Sequence, residues 1–208
     1  MSRVIILTAA ATSPSLVMAM KEAIAACSDR KIEIANLPGS EALESAAEDI
    51  ICPLTLNVPD KLAFPGREIY AACADVPRMR ASVESWDYQT GEGEYWLPVV
   101  LTAKGPLYAE VIGCGSSPQS YQQPIDLKDE IRQPLYALAY QVLRQFQAIP
   151  TVYFLQFSVR DRSVIFDRLY PFPIDGAIAS LNVQQPDLLT CHWLCLTHQP
   201  ILDLIIVG

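Results

Sequence analysis

The first 58 residues constrain the fold most, because strand and helix signals alternate there at short intervals. Arg3–Thr8 is a β-rich run. Thr12-Ser13-Pro14-Ser15 follows and reads as a helix start. Ser13 is the expected N-cap, its hydroxyl taking an orphan amide, and Pro14 sits at the first helical position, where no N–H is needed. Leu16, Val17, Met20, Ile24 and Cys27 recur at helical spacing and carry the helix through Cys27. Lys31–Leu37 alternates as a second strand, and Pro38-Gly39-Ser40 breaks it. Glu41–Asp49 reads as a second helix and Ile50–Val58 as a third strand, which Pro53 places at an edge or ends early. This β-α-β-α-β order predicts a small parallel sheet, since parallel neighbours need a crossover between them.

The rest of the chain changes character. Prolines at 53, 59, 65 and 77 punctuate a stretch with room for one short helix, Arg67–Ala74. Glu94–Thr102 and Leu107–Ile112 are apolar runs joined by Ala103-Lys104-Gly105-Pro106, the pattern of a hairpin. Residues 113–124 read as a loop. Asp126–Gln147 is the longest helical stretch, with Pro134 expected to divide it and Leu135, Leu138, Ala139, Val142, Leu143 and Phe146 forming one apolar stripe. Thr151–Val159 and Ser163–Tyr170 predict a second hairpin turning at Arg160-Asp161-Arg162. Asp187 caps a helix reaching about His198, and Ile201–Val207 reads as a last strand. The expected class is α/β (or α+β) with a mixed sheet: a β-α-β lobe over 1–85, then a hairpin-helix-hairpin body over 86–208, either as two units or as one continuous domain.

Composition narrows the function classes. With 51% apolar and 18% charged residues, the chain is suited to a large interior rather than to disorder. The net charge is −8, and acids exceed bases in both halves. No basic stripe is present to neutralise a phosphate backbone, so nucleic-acid and anionic-membrane binding are not expected. The run Val4–Leu7 is too short for a secretory signal, and no segment approaches a membrane span. A cytoplasmic protein with six reduced cysteines, mostly small buried hydrophobes, is the expectation.

Four constellations invite chemistry. Cys191, Cys195 and His198 fall on one helical face, but residues seven apart lie roughly 10 Å apart along the axis, too far for one metal ion. They read as part of an apolar helix with packed thiols. Gly113 and Gly115, in Gly113-Cys114-Gly115-Ser116-Ser117, offer backbone amides after a strand but lack the lysine of a phosphate loop. A Ser-His-Asp arrangement has no nucleophile elbow and only the two histidines of the apolar helix. Asp167 and Arg168 interrupt an apolar strand and need partners there. They form either a structural ion pair or ligand groups at the mouth of a cleft. Alternation places Asp167 and Leu169 on one face, and Phe166, Arg168 and Tyr170 on the other.

The pieces EYWLPVVLTAKGPLYAEVIG, LYALAYQVLRQFQAIPTVYFLQFSVRDRSVIFDRLYPFP and PDLLTCHWLCLTHQPI follow one another as hairpin, helix, strand pair and helix. In that order the C-terminal half resembles a degenerate ATP-grasp domain, with the β-α-β start standing for the family's N-terminal lobe. The ending IFDRLYPFP…DLLTCHWLCLT also resembles a cyanobacterial family, which implies no function. The ATP-grasp resemblance places Gln156 where the family has an acidic metal ligand, Asp167 for its Glu and Leu169 for its Asn. Gln and Leu cannot hold Mg²⁺ as carboxylate and amide oxygens do, and the chain is shorter by about a subdomain, the one supplying nucleotide-gripping lysines. The resemblance therefore implies a non-catalytic binding or protein-interaction module, with ATP and Mg²⁺ disfavoured and no cofactor expected. Its partner would be another protein or a second copy, met at the aromatics and prolines of Tyr170–Pro173. The alternative is a nucleotide- or small-molecule-binding enzyme with a cleft near Asp167 and Arg168.

Overall fold

The computed structural model describes residues 3–37, 46–115 and 120–207. β1 (Arg3–Ala9) and β2 (Lys31–Leu37) flank α1 (Pro14–Cys27), and β3 (Ile50–Pro53) completes a parallel sheet in the order β2-β1-β3. The central strand is apolar without alternation because both its faces are covered. Val4 and Ile6 enter the main core, whereas Ile5 and Leu7 pack with Ala35, Ile51 and Leu62 on the other side. Ser13 caps α1 as expected, its Oγ accepting from Leu16 N at 3.2 Å. β3 stops at Pro53, which has no N–H to continue the ladder. The expected helix Glu41–Asp49 lies largely outside the described residues, and residues 46–49 form a turn.

α2 (Arg67–Ala74) forms where expected, and α3 (Val76–Glu84) follows it directly. α3 is not legible in the sequence, where Pro77 reads as punctuation. Asp75 caps this helix and Pro77 sits in its first turn, where a missing N–H costs nothing.

The second sheet is mixed and has seven strands: β4 (Gln89–Thr90), β5 (Tyr95–Thr102), β6 (Gly105–Tyr108), β7 (Val111–Cys114), β8 (Tyr121–Ile125), β9 (Thr151–Arg160) and β10 (Ser163–Tyr170). Their order is β4-β10-β9-β5-β7-β8, with β6 also on β5. The apolar run Leu107–Ile112 is thus two strands, both paired with β5, and part of the expected loop 113–124 is the strand β8. β9 and β10 form the predicted hairpin, and Asp161 and Arg162 both take positive φ in its turn.

α4 (Asp129–Gln145) runs through Pro134 without dividing. Pro134 lies near the helix start, and the buried stripe Leu135, Leu138, Ala139, Val142 and Leu143 holds the helix to the core. Each such leucine contributes roughly 1.5–3 kcal/mol of burial, against about 3 kcal/mol for an interior proline. α5 (Leu188–Leu196) packs on β9, β5 and α1. It ends two residues before His198, which has a φ of 56° beyond the cap at Thr197. The expected last strand is only β12 (Ile205–Ile206), paired with β11 (Gln184–Gln185). The core runs without a break through residues of both halves, from Val4 to Phe166 and Trp193. Among the described residues no helix is long and apolar enough to cross a membrane.

Candidate functional site

Register across the second sheet sets out a row of residues in which Gln156 and Trp96 form one wall of a cleft. Arg168 on β10 stands opposite Gln156 on β9, Gln156 opposite Trp96 on β5, and Trp96 opposite Ile112 on β7. Directly paired residues share a sheet face, so these four form a row. Trp96 meets the Tyr121 ring edge-on with centroids 5.5 Å apart. The opposite wall comes from the carboxyl ends of β1 and β3: Ala9, Ala11 and Thr12 follow one, and Leu54 to Asn57 the other. Ligands of open α/β sheets characteristically lie beyond these strand ends. Between the walls is a cleft of about 420 Å³, lined also by Tyr170, Phe172 and Asp175. That volume suits a small molecule.

The polar groups are fixed largely by one another. Thr12 Oγ1 accepts from Ala9 N at 3.0 Å and donates to Leu54 O at 3.3 Å, tying the loop after β1 to the end of β3. Ser13 Oγ donates to Asp175 Oδ1 at 2.6 Å, across the start of α1. Gln156 Nε2 donates to Gly93 O at 2.7 Å, and its Oε1 accepts from the Tyr170 hydroxyl at 3.4 Å. Burial raises the pKa of the Tyr121 phenol, and the Asp175 carboxylate raises it further. Burial raises Tyr170 likewise, with Arg168 opposing. Both hydroxyls stay protonated donors at neutral pH.

Of the ligand-binding candidates Asp167, Arg168, Gln156, Gly113 and Gly115, Gln156 alone lines this cleft, and Tyr170 and Phe172 of the expected contact patch line it too. Asp167 is buried beside it. Its Oδ1 accepts from Arg80 Nη2 at 2.5 Å and Arg168 Nε at 3.0 Å, and its Oδ2 accepts from Gly93 N at 2.9 Å. Arg80 also donates to Asp167 O and to Gly91 O, both at 3.0 Å. Burial pushes the Asp167 carboxyl up, but the Gly93 amide and the two guanidiniums outweigh it and leave the pKa below the usual carboxylate range. Its oxygens are thus occupied by arginines and an amide, and Arg168 lies across from Gln156. Among the described residues no three His, Cys, Asp or Glu side chains stand together as a metal site.

Asp167 is the extra residue of a β-bulge, since Phe166 pairs with Phe157 but Arg168 with Gln156. The bulge corrects the expected alternation: Phe166 shares a face with Leu169, and Arg168 is on the other. Gly113 is built into β7, where a Cβ would come within 3.0 Å of Ile125 Cγ1, and Gly115 N donates to Ser120 O at 2.8 Å. Neither glycine lines the cleft. Residues 116 and 117 of that segment lie outside the described residues. Pro171, Phe172 and Pro173 are buried, so Tyr170–Pro173 is no exposed contact patch. Phe172 instead stacks on Tyr70, with centroids 5.7 Å apart.

On α5, Cys191 Sγ and Cys195 Sγ donate to Pro186 O and Leu101 O. Burial pushes the Cys195 thiol up to about 12, an unreactive value at neutral pH. Cys27 and Cys114 are exposed, and four cysteines are buried. The sequence reading missed Trp96, Tyr121 and Asp175. Asp175 did carry a signal, a lone acid in the apolar segment Tyr170–Ala179. Trp96 and Tyr121 carried none, because only strand register brings them together.

No protein-family model matches the chain, and no curated protein matches it in sequence. Solved structures do match in shape. A carboxyaminoimidazole ribonucleotide synthase from Aspergillus clavatus, complexed with ATP, has a TM-score of 0.73 at 8% identity over 97% of this chain and 78% of its own. An N5-carboxyaminoimidazole synthetase from Staphylococcus aureus, complexed with ADP, gives 0.70 at 9% identity over 99% and 81%. A glycinamide-RNase-transformylase T from Mycobacterium tuberculosis gives 0.63 at 11% identity over 98% and 82%. The first two of these hold ATP and ADP in the same architecture, which overturns the expectation of no cofactor with ATP and Mg²⁺ disfavoured. The likeness spans nearly the whole chain, beyond the C-terminal half in which the sequence resemblance lay. The chain has the ATP-grasp-like fold of these enzymes.

Proposed function

We propose that this chain is a nucleotide- or small-molecule-binding enzyme of ATP-grasp type, whose ligand lies in the cleft between the ends of β1 and β3 and the second sheet. The observation that carries the reading is the convergence of Trp96, Tyr121 and Tyr170 with Gln156, Asn57 and Asp175 around one space of about 420 Å³. Aromatic walls with a few placed polar groups are the usual make-up of a small-molecule site. In this reading Gln156 and Tyr170 contact the ligand. Asp167, Arg80 and Arg168 are positioning residues that hold Gly93, and through it Gln156, in place. The complexes of the shape-related enzymes make ATP and ADP the first ligands to try.

The test is thermal unfolding with ATP, ADP and adenosine, each with and without Mg²⁺. A ligand at 100 times its Kd stabilises by about 2.7 kcal/mol, which for a domain of this size raises the melting temperature by roughly 5–10 °C. Tyr170→Ala should abolish the shift. A flat response to all three ligands would rule out this nucleotide reading.

A second reading, a protein-interaction module, draws on exposed Leu202, Ile205 and Ile206 at the C-terminal end. Light scattering tests it: self-association that Ile205→Lys removes would support it, and a monomer at high concentration would count against it.

A further inference from the structure

The side chains around the cleft share one electrostatic property. Among the described residues that line it none is Lys or Arg, and the one acidic side chain is Asp175. The adjoining space along Ser13, Ser15, Ser120 and Ile178 has the same property. Arg168 shares the sheet face and is bonded to Asp167 and to the Tyr170 side chain at the cleft's edge, but it does not itself line the cleft.

The start of α1, the usual place for a phosphate at such strand ends, is already occupied. Pro14 has no N–H, Ser13 Oγ takes the Leu16 amide, and the same hydroxyl anchors the Asp175 carboxylate. A second anion there would meet Asp175 with no lysine or arginine among the described lining residues to balance it. A cation would meet Asp175 among the aromatic rings of Trp96, Tyr121 and Tyr170, and a positive group over an aromatic ring is attracted by its quadrupole.

We infer that the cleft receives the nitrogenous, non-anionic part of its ligand, a planar group bearing an amine or amidine that pairs with Asp175, and that any phosphates of the ligand lie outside it. This rests on the cleft being the ligand site.

Two charge-matched series test it by calorimetry on the full chain. One is 1-methyladenosine, adenosine and xanthosine, whose planar bases are cationic, neutral and anionic at neutral pH; the other is tryptamine and indole-3-acetate. The cationic member of at least one series should bind about tenfold tighter than the anionic member, with affinity falling as salt rises. Asp175→Asn, which keeps an oxygen for Ser13, should erase that preference while neutral adenosine is little affected. If the anionic members bind as tightly as the cationic ones, or Asp175→Asn leaves the preference intact, the inference is overturned and the cleft reading survives. If no member of either series binds, both fall.

Discussion

Lowering the pH from 7 to 4.5 should destabilise this protein through one side chain, His192. The imidazole is fully buried on α5, with Nδ1 2.9 Å from Thr151 Oγ1, and Nε2 has no partner among the described residues. Burial disfavours the charged ring and lowers its pKa to about 3. In the unfolded chain the ring titrates near 6.5. Below that pH the unfolded state binds one proton more than the folded state, so stability falls as pH falls, and continues to fall down to the folded pKa. The slope is about 1.4 kcal/mol per pH unit, which sums to about 2.5 kcal/mol between pH 7 and 4.5. The other histidine, His198, is exposed, and the Asp167 carboxyl titrates below the usual carboxylate range. Urea midpoints measured across pH 4.5–7.5 for the wild type and His192→Asn isolate the effect. The asparagine retains a group able to bond Thr151, and any cavity it leaves lowers stability equally at every pH. The wild type should lose about 2.5 kcal/mol that the variant keeps. Parallel slopes would show that His192 becomes protonated in the folded state, and the reasoning would be wrong.

Arg80→Ala should cost about 2–4 kcal/mol, because it removes three hydrogen bonds and leaves Asp167 with Arg168 and the Gly93 amide alone; thermal unfolding reads it, and a loss under 0.5 kcal/mol would contradict the buried ion-pair account. Gly93→Ala would put a Cβ 2.7 Å from Phe157 N, backbone that cannot step aside, so a loss of at least about 2 kcal/mol is expected in chemical denaturation. Ser13→Ala removes the α1 cap and the anchor of Asp175 together. It should cost about 1 kcal/mol and weaken binding of an amine ligand, measured in the same calorimetric series, more than it weakens adenosine.

The local elements were legible in the sequence because local physics decides them. The Ser13-Pro14 start set α1, the even helical spacing from Leu135 to Leu143 set α4, and the apolar runs around Asp161-Arg162 set the β9–β10 hairpin. The sequence also flagged Asp167 and Arg168, since charge in a buried strand demands partners. Their partner could not be read from it. Arg80 lies 87 residues away from Asp167, and nothing along the chain links the two until α3 packs on β10. The cleft likewise belongs to tertiary structure. Trp96, Gln156 and Arg168 form one row only because three strands pair in a particular register, and a bulge at Asp167 turns Arg168 onto that face. Register and bulges are set by long-range pairing, so the elements were written in the chain while the site waited on the way they pack.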